Sequence, residues 1–286
     1  MIEVNQFEEV TQIKMSRVID GVPIYWVSAY LVDGLLVDTG CSYTAEELAA
    51  YLNGRNLDMV VNAHFHEDHI GCNYLIKDRF NVDIYAHPES IPLIGAKTFL
   101  YPYQETVWGY PVPTEVKPIP DVIRTEHFGY AVIETPGHSV GHVALLEQEK
   151  GWCFSGDIFS RETLKFIRPE ENMGETIQSI KRLLDFKTKR LVLFTSVGKI
   201  IEDGRSALVK CIDYLEDLSA KAKNLKSKGR TVEEIVQDLF GGEHTFAQLT
   251  NGQYTTKNLV CSVLEMEEMA VSNFSLSSNR REELQV

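Results

Sequence analysis

The sequence lacks paired cysteines, long apolar runs and an apolar leader. Its five cysteines are scattered, odd in number and without a C-x-x-C pair, and they are Cys41, Cys72, Cys153, Cys211 and Cys261. Such thiols indicate neither a disulfide framework nor a zinc ribbon, so a reduced protein is the simplest account. No stretch approaches the roughly 20 apolar residues of a membrane span. The first ten residues, MIEVNQFEEV, do not resemble a signal peptide. We therefore expect a cytoplasmic protein that does not enter a membrane.

Basic residues are also scarce, because 28 lysines and arginines face 41 aspartates and glutamates, for a net charge of −13. This excess repels phosphate backbones and anionic membranes unless a local basic patch compensates for it. The densest basic stretch, residues 221–230, is typical of a solvated helix end. We therefore expect a small-molecule substrate, with nucleic acid as the weaker alternative. The sequence does not indicate an oligomeric state.

A length of 286 residues suits one large domain or a domain with an appendage. Short apolar runs that end at polar loops alternate with helical patterns up to about residue 203, which predicts an α/β fold. Strand signals are scarce from Arg205 onward, where helical spacing prevails. We therefore predict an α/β body over residues 1–203, a helical cap over 204–270 and a flexible polar tail over 271–286.

Local signals place several elements. Asp33-Gly34 between two apolar runs predicts a hairpin. The spacing of Thr44 and Glu47 predicts a capping box for a helix that stops at Gly54, and Thr231 with Glu234 predicts another. Residues 91–120 are rich in proline and aromatic residues without a clear period. They form either an insertion over a pocket or a packed irregular loop.

Residues 64–69 read HFHEDH and directly follow the apolar run 59–63. Residues two apart in an extended segment point to the same side, so His64 and His66 can present imidazoles to one point. Asp68 and His69, further round the turn, can reach a neighbouring point. Neutral imidazole and carboxylate suit zinc, iron, manganese and similar divalent ions. Such a dense group at the end of a buried strand favours a metal site over an accidental polar loop.

A metal ion needs further ligands from elsewhere in the chain. Other loops that follow predicted strands supply His138 or His142, in TPGHSVGH, and Asp157, in SGD. The residues alone leave the choice between the two histidines open.

Four motifs in this order, VDTG (37–40), HFHEDH (64–69), TPGHSVGH (135–142) and SGD (155–157), resemble the metallo-β-lactamase superfamily over about residues 24–200. The resemblance implies an αββα sandwich with its helical appendage at the C-terminal end, most similar to the glyoxalase-II-like hydrolase branch. In that family His64, His66 and His138 would hold a first metal ion, and Asp68 and His69 would belong to a second. Asp157 would bridge both ions, Asp38 would fix the loop of residues 64–69, here called the metal loop, and His142 would orient its neighbours.

The pattern departs from the family after the last strand of the body. Where the family brings a final metal-binding histidine, this sequence has Val197. Three consequences are open. Water completes a weak second metal site, or the site holds one ion, or another group moves in, namely Ser196, Thr195 or His142.

Three functions are consistent with these residues. The first is a metal-dependent hydrolase of an ester, thioester, lactone or phosphodiester, in which metal-activated water attacks and Asp68 is catalytic. Zinc, as one or two ions, is the expected cofactor, with iron or manganese as alternatives. The second is an enzyme that resembles mononuclear iron persulfide dioxygenases. The third is a binding or sensing protein with a degenerate second metal site.

Overall fold

The computed structural model describes residues 1–266, in which two β-sheets pack face to face. The strands, in chain order, are β1 (Ile2–Phe7), β2 (Val10–Met15), β3 (Val18–Ile19), β4 (Val22–Pro23), β5 (Val27–Val32), β6 (Leu35–Val37), β7 (Met59–Val61), β8 (Asp83–Ala86), β9 (Lys117–Pro118), β10 (Val122–Arg124), β11 (Gly129–Glu134), β12 (Val143–Glu147), β13 (Trp152–Gly156), β14 (Val192–Thr195) and β15 (Ile200–Ile201). Apart from a 3₁₀ turn at Ser42–Thr44, the helices are α1 (Ala45–Leu52), α2 (Glu67–Ile70), α3 (Asn73–Phe80), α4 (Ile91–Ile94), α5 (Pro102–Val107), α6 (Met173–Asp185), α7 (Gly204–Ser227), α8 (Val232–Phe240), α9 (Phe246–Leu249) and α10 (Thr256–Leu264).

The first sheet has the order β1-β2-β5-β6-β7-β8-β9, and the second has the order β10-β11-β12-β13-β14-β15. Their inner faces enclose a buried aromatic cluster that includes Tyr30, Tyr130, Trp152, Phe154 and Phe194. The alternation of side chains along each strand directs the other apolar residues outward, where helices cover them. The predicted αββα sandwich is therefore confirmed.

Helices pack on both outer faces. One buried cluster joins the first sheet to α1 and α3. A second, larger cluster joins the outer face of the second sheet to α6, α7, α8 and α10. The helices after Gly204 are thus where the sequence places them, and they share one core with α6. The division of the chain at residue 203 stays a prediction, and residues 267–286, including the predicted tail, lie outside the described residues.

One of the two predicted capping boxes is wrong. Thr44 has φ −110° and ψ 12°, so its hydroxyl does not cap α1. It donates instead to the carbonyl of Cys41, at 3.0 Å, because the 3₁₀ turn before the helix leaves Thr44 outside the extended conformation of an N-cap. Thr231 does form the predicted box with Glu234.

The carboxyl ends of the central strands meet at one edge of the sandwich. Strands β6, β7 and β8 are parallel in the first sheet. In the second sheet β11, β13 and β14 run in one direction. The loops after these strands therefore lie together, and the N–H of Val143 donates to the carbonyl of Ala63, at 2.8 Å, from one sheet edge to the other.

No helix within residues 1–266 has both the length and the apolar composition that a membrane crossing requires.

Gly71 lets the end of α2 approach the loop after β6. Its N–H donates to the carbonyl of Gly40, at 2.8 Å. A Cβ at this position would lie 2.3 Å from the backbone nitrogen of Ser42 and 2.6 Å from the carbonyl oxygen of Gly40. These neighbours are backbone atoms, so they cannot rotate away as a side chain would.

We predict that Gly71→Ala lowers the free energy of unfolding by about 2 kcal/mol or more, the range of overpacked cores. Urea unfolding followed by circular dichroism measures this. Gly129→Ala is the matched control, because a Cβ there meets only the Arg124 guanidinium, at 3.7 Å. Equal stability of both variants would show that the approach of α2 to this loop is not tight.

Candidate metal centre

Three buried imidazoles converge on one point. His64 Nε2 lies 2.8 Å from His66 Nδ1, and His138 Nε2 lies 3.0 Å from the same atom. A tetrahedral ion with bonds of about 2.05 Å would hold such nitrogens about 3.3 Å apart. The observed spacing is slightly closer than that, and the three nitrogens form a group that could hold a metal ion.

Local structure explains this convergence. Strand β7 ends at Val61, the chain then bends at Ala63 and His64, and His66 has φ −65° and ψ 152°, in the extended region. The single-turn helix α2 then carries Asp68 and His69. His138 comes from the second sheet, after the turn at Pro136-Gly137. The two sheets therefore each contribute to the group.

A second group lies beside the first. His69 Nε2 is 3.5 Å from Asp157 Oδ2 and 3.9 Å from an oxygen of Asp68. The same Asp157 oxygen is 3.6 Å from His138 Nε2. His64, His69 and Asp157 also form a group that could hold a metal ion. Asp157 thus lies between the two groups.

The protein leaves three polar atoms of these groups unsatisfied. They are His64 Nδ1, His69 Nε2 and Asp157 Oδ1, which are buried and have no hydrogen-bond partner among the described residues. A buried polar atom without a partner costs about 1–3 kcal/mol. A cation shared by these atoms would remove that cost, so the residues present fit a divalent metal.

The electrostatics of the site also suit a cation. Burial, together with the neighbouring imidazoles, holds the pKa of His64 well below its usual value. Burial and then the nearby Arg168 do the same for the pKa of His66. Metal binding requires neutral imidazole, and these two shifts favour that form.

For His138, burial lowers the pKa, but the carboxylates of Glu171 and Asp157 outweigh it and raise the pKa. Burial raises the pKa of Asp68 to about 6, although the neighbouring His69 opposes the shift.

Asp38 holds the metal loop and one of its histidines together. Its backbone adopts φ +60°. Its Oδ1 accepts a hydrogen bond from the N–H of Ala63, at 2.7 Å, and its Oδ2 lies 2.7 Å from His69 Nδ1. A proton on Nδ1 leaves His69 Nε2 free to face Asp157 and Asp68.

His142 orients Asp157 and has no spare ring nitrogen. Its Nε2 accepts the N–H of Asp157, at 3.0 Å, and its Nδ1 lies 2.8 Å from the hydroxyl of Thr135. Gly156 makes this contact possible, since it has φ +51° and a Cβ there would lie 2.5 Å from His142 Nε2. Between the two candidate histidines, the structure therefore brings His138, and not His142, to the metal group.

Val197 lies beside the site, on the wall of a cavity that also contains His138 and Asp157. Two of the predicted replacements for a histidine here are already engaged. The hydroxyl of Thr195 donates to the carbonyl of Lys199, at 2.9 Å, and both ring nitrogens of His142 have partners. Recruiting either residue as a ligand would cost these hydrogen bonds.

Two further residues of the site, Glu171 and Arg168, were not predicted from the sequence. Glu171 Oε2 lies 3.1 Å from His138 Nδ1, and its other oxygen accepts the N–H of Arg168, at 2.8 Å. The buried Arg168 guanidinium lies 3.5 Å from Glu67 of the metal loop and donates through Nε to Tyr254, at 2.8 Å. Neither residue belongs to a motif. The only signal in the sequence was Glu67 within HFHEDH, a carboxylate that is buried in the structure and pairs with Arg168.

A cavity of about 340 Å³ opens next to these residues. Tyr103, Val107 and Trp108 from the 91–120 segment line it, and Trp108 also packs into the core outside the first sheet. Both alternatives for this segment therefore hold in part, because it packs and it lines a pocket.

Solved structures and curated proteins resemble the chain. A metallo-beta-lactamase family protein from Thermus thermophilus aligns with a TM-score of 0.62 and 18% identity over 90% of this chain and 91% of that one. This similarity concerns the fold.

Two curated relatives have names that describe a hydrolase. A probable metallo-hydrolase of Methanocaldococcus jannaschii is 28% identical over 198 residues, which cover 62% of this chain and 89% of the relative. A hydroxyacylglutathione hydrolase of Vibrio cholerae is 30% identical over 178 residues, which cover 60% of each chain.

The family model of the metallo-beta-lactamase superfamily matches residues 27–195. This range exceeds half of the chain and contains all of the candidate ligands. The chain therefore belongs to the metallo-beta-lactamase superfamily.

Proposed function

We propose that this chain is a metal-dependent hydrolase that cleaves an ester, thioester, lactone or phosphodiester. The convergence of His64, His66 and His138 nitrogens within 2.8–3.0 Å carries the proposal. The single lone pair of His66 Nδ1 cannot accept two good hydrogen bonds, whereas one divalent cation could bind all three imidazoles.

When bound, the metal would supply Lewis acidity and a hydroxide-like water at neutral pH. His64, His66 and His138 would hold it, with Asp157 as the neighbouring carboxylate. Asp68 and His69 face the same space and would orient a water molecule or a substrate oxygen. We propose one tightly held ion, because Val197 stands where the family has a histidine that binds the second metal ion. Zinc is the proposed element, with iron or manganese as alternatives.

Asp68 is the proposed catalytic carboxylate. It lies in the helical turn after His66, is 8% exposed, and has an oxygen 3.9 Å from His69 Nε2. With the second metal position incomplete, its oxygens are available to hold a water molecule in place. They can also accept a proton and pass it to the leaving group.

Thioesters lead the substrate classes, because hydroxyacylglutathione hydrolases of Haemophilus influenzae and Vibrio cholerae are among the relatives. We place the enzyme in the cytoplasm with a small-molecule substrate. Its five cysteines are free, which agrees with a reducing compartment.

Val197 also favours a second candidate, a mononuclear iron enzyme that oxidises a persulfide. Three imidazoles and one carboxylate suffice for a single iron ion. Iron in the purified protein together with oxygen uptake on glutathione persulfide would support this candidate. Zinc without oxygen uptake would contradict it.

We predict that Asp68→Asn retains the fold and the metal but lowers kcat by about 100-fold or more, the usual contribution of a positioned acid or base. Turnover is measured on a hydroxyacylglutathione, an aryl acetate, a lactone and a diaryl phosphodiester. Asp78→Asn, at an exposed position on α3, is the control. Absence of native turnover on all four would contradict the hydrolase proposal, and unchanged turnover in Asp68→Asn would remove Asp68 from the mechanism.

We also predict that Glu171→Ala weakens metal binding by about 10- to 100-fold, because a carboxylate that accepts from the second nitrogen of a ligating histidine orients that ligand. Competition with a chromogenic chelator measures the affinity. Glu170→Ala is the matched control. The Glu170 carboxylate is about half exposed, and its partner, at 3.9 Å, is Arg168 and not a histidine. Equal metal affinity in the two variants would show that Glu171 does not support His138.

A further inference from the structure

An aromatic wall runs along the cavity beside the candidate metal centre. The ring centroids of Tyr25 and Trp108 are 5.6 Å apart, and those of Trp108 and Tyr103 are 6.1 Å apart. The chain of contacts continues from Tyr103 to Tyr254, at 6.3 Å, and from Tyr254 to Phe166, at 6.0 Å. All five side chains line the cavity. These four contacts are edge-to-face, and an aromatic or apolar group of a ligand packs favourably against such rings.

Distant parts of the chain build this wall. Tyr25 precedes β5, and the residues from 103 to 108 belong to the segment around α5. Phe166 follows Asp157, whereas Tyr254 precedes α10. Tyr254 is tied to the metal loop, because it accepts a hydrogen bond from Arg168, which pairs with Glu67. The wall is therefore held at a defined place relative to the candidate ligands.

Two cations, Arg161 and Lys165, also line the cavity, and both are exposed to solvent. Among residues 1–266, neither of them forms a hydrogen bond or an ion pair. The carboxylates on the cavity wall are Asp157 and Glu171, and both of these contact His138. The cavity wall thus carries two exposed cations without a carboxylate partner among the described residues, in a chain whose net charge is −13.

We propose that the substrate of this site is an amphiphilic anion. Its apolar part, an aromatic ring or a short acyl chain, would lie on the aromatic wall. Its carboxylate, phosphate or sulfonate would pair with Arg161 and Lys165. This inference deepens the proposed function, because the same site would cleave the substrate. The binding part can be tested without turnover.

Two fluorescent probes test the binding. The anionic probe is 8-anilinonaphthalene-1-sulfonate, and N-phenyl-1-naphthylamine has the same rings without the sulfonate. Dissociation constants of both are measured on the full chain before and after loading with zinc. We expect the double variant Arg161→Ala/Lys165→Ala to reduce the preference for the anionic probe by about tenfold, the loss expected for hydrogen bonds to a charged group. The control Lys187→Ala/Lys189→Ala removes two exposed cations outside the cavity and keeps that preference.

Tyr25→Ala tests the wall separately, because Tyr25 is 38% exposed and its truncation leaves the core intact. It should weaken both probes. If neither affinity changes in Tyr25→Ala, or if both double variants change the preference equally, the proposal is wrong.

Hydrolysis connects binding to function. The substrates are 4-acetoxybenzoate and its neutral methyl ester, and water converts each to acetate and the corresponding phenol. The ratio of kcat/KM for the anionic over the neutral ester should fall in Arg161→Ala/Lys165→Ala. A preference for the anionic probe without hydrolysis of either ester would support the binding site and count against the hydrolase. Hydrolysis of both esters with equal kcat/KM in the native chain would support the hydrolase and overturn the anion site.

Discussion

The structure depends on burying four imidazoles and two carboxylates in one small volume. Burial strips these groups of water, and nitrogens of His64 and His138 approach to 2.8–3.0 Å from the same atom, His66 Nδ1. Buried polar atoms remain without a partner in the described protein, notably His69 Nε2 and Asp157 Oδ1. A divalent cation would resolve this conflict, because His64, His66, His138 and Asp157 could each donate an electron pair to it.

The rest of the site serves to hold those donors in place. Asp38 orients His69, and His142 orients the backbone of Asp157. Glu171 contacts Nδ1 of His138 through a carboxylate oxygen. These supports connect both sheets, and Ala63 joins the two edges through its own N–H and carbonyl group. Arg168 extends the network to Tyr254, which lies among the C-terminal helices. Helices that appear remote in the sequence thus contribute to the position of the metal loop and to the wall of its cavity.

Four local motifs, HFHEDH among them, resemble a known family, and that resemblance implied the sandwich and most candidate ligands. They also led to the expectation that Asp38 and His142 would support the site, which is where the structure places them. Glu171 and Arg168 were not predicted, because their partners His138 and Tyr254 lie 33 and 86 residues away in the chain. Neither residue belongs to a helix or strand whose periodicity could mark it. The predicted capping box at Thr44 was wrong because Thr44 belongs to a 3₁₀ turn, and that turn sets its backbone angles. Contacts between residues far apart in the chain, and turns that override local helix signals, could therefore not be predicted from the sequence.

Val197 determines how the centre differs from the family pattern, and metal content per chain tests this account most directly. The native chain is loaded with zinc, dialysed and measured by mass spectrometry beside Val197→His. The account predicts about one retained ion in the native chain, held by three imidazoles, and about two in the variant. No retained ion in the native chain would contradict the metal centre. Two retained ions in the native chain would contradict the claim that Val197 limits it to one.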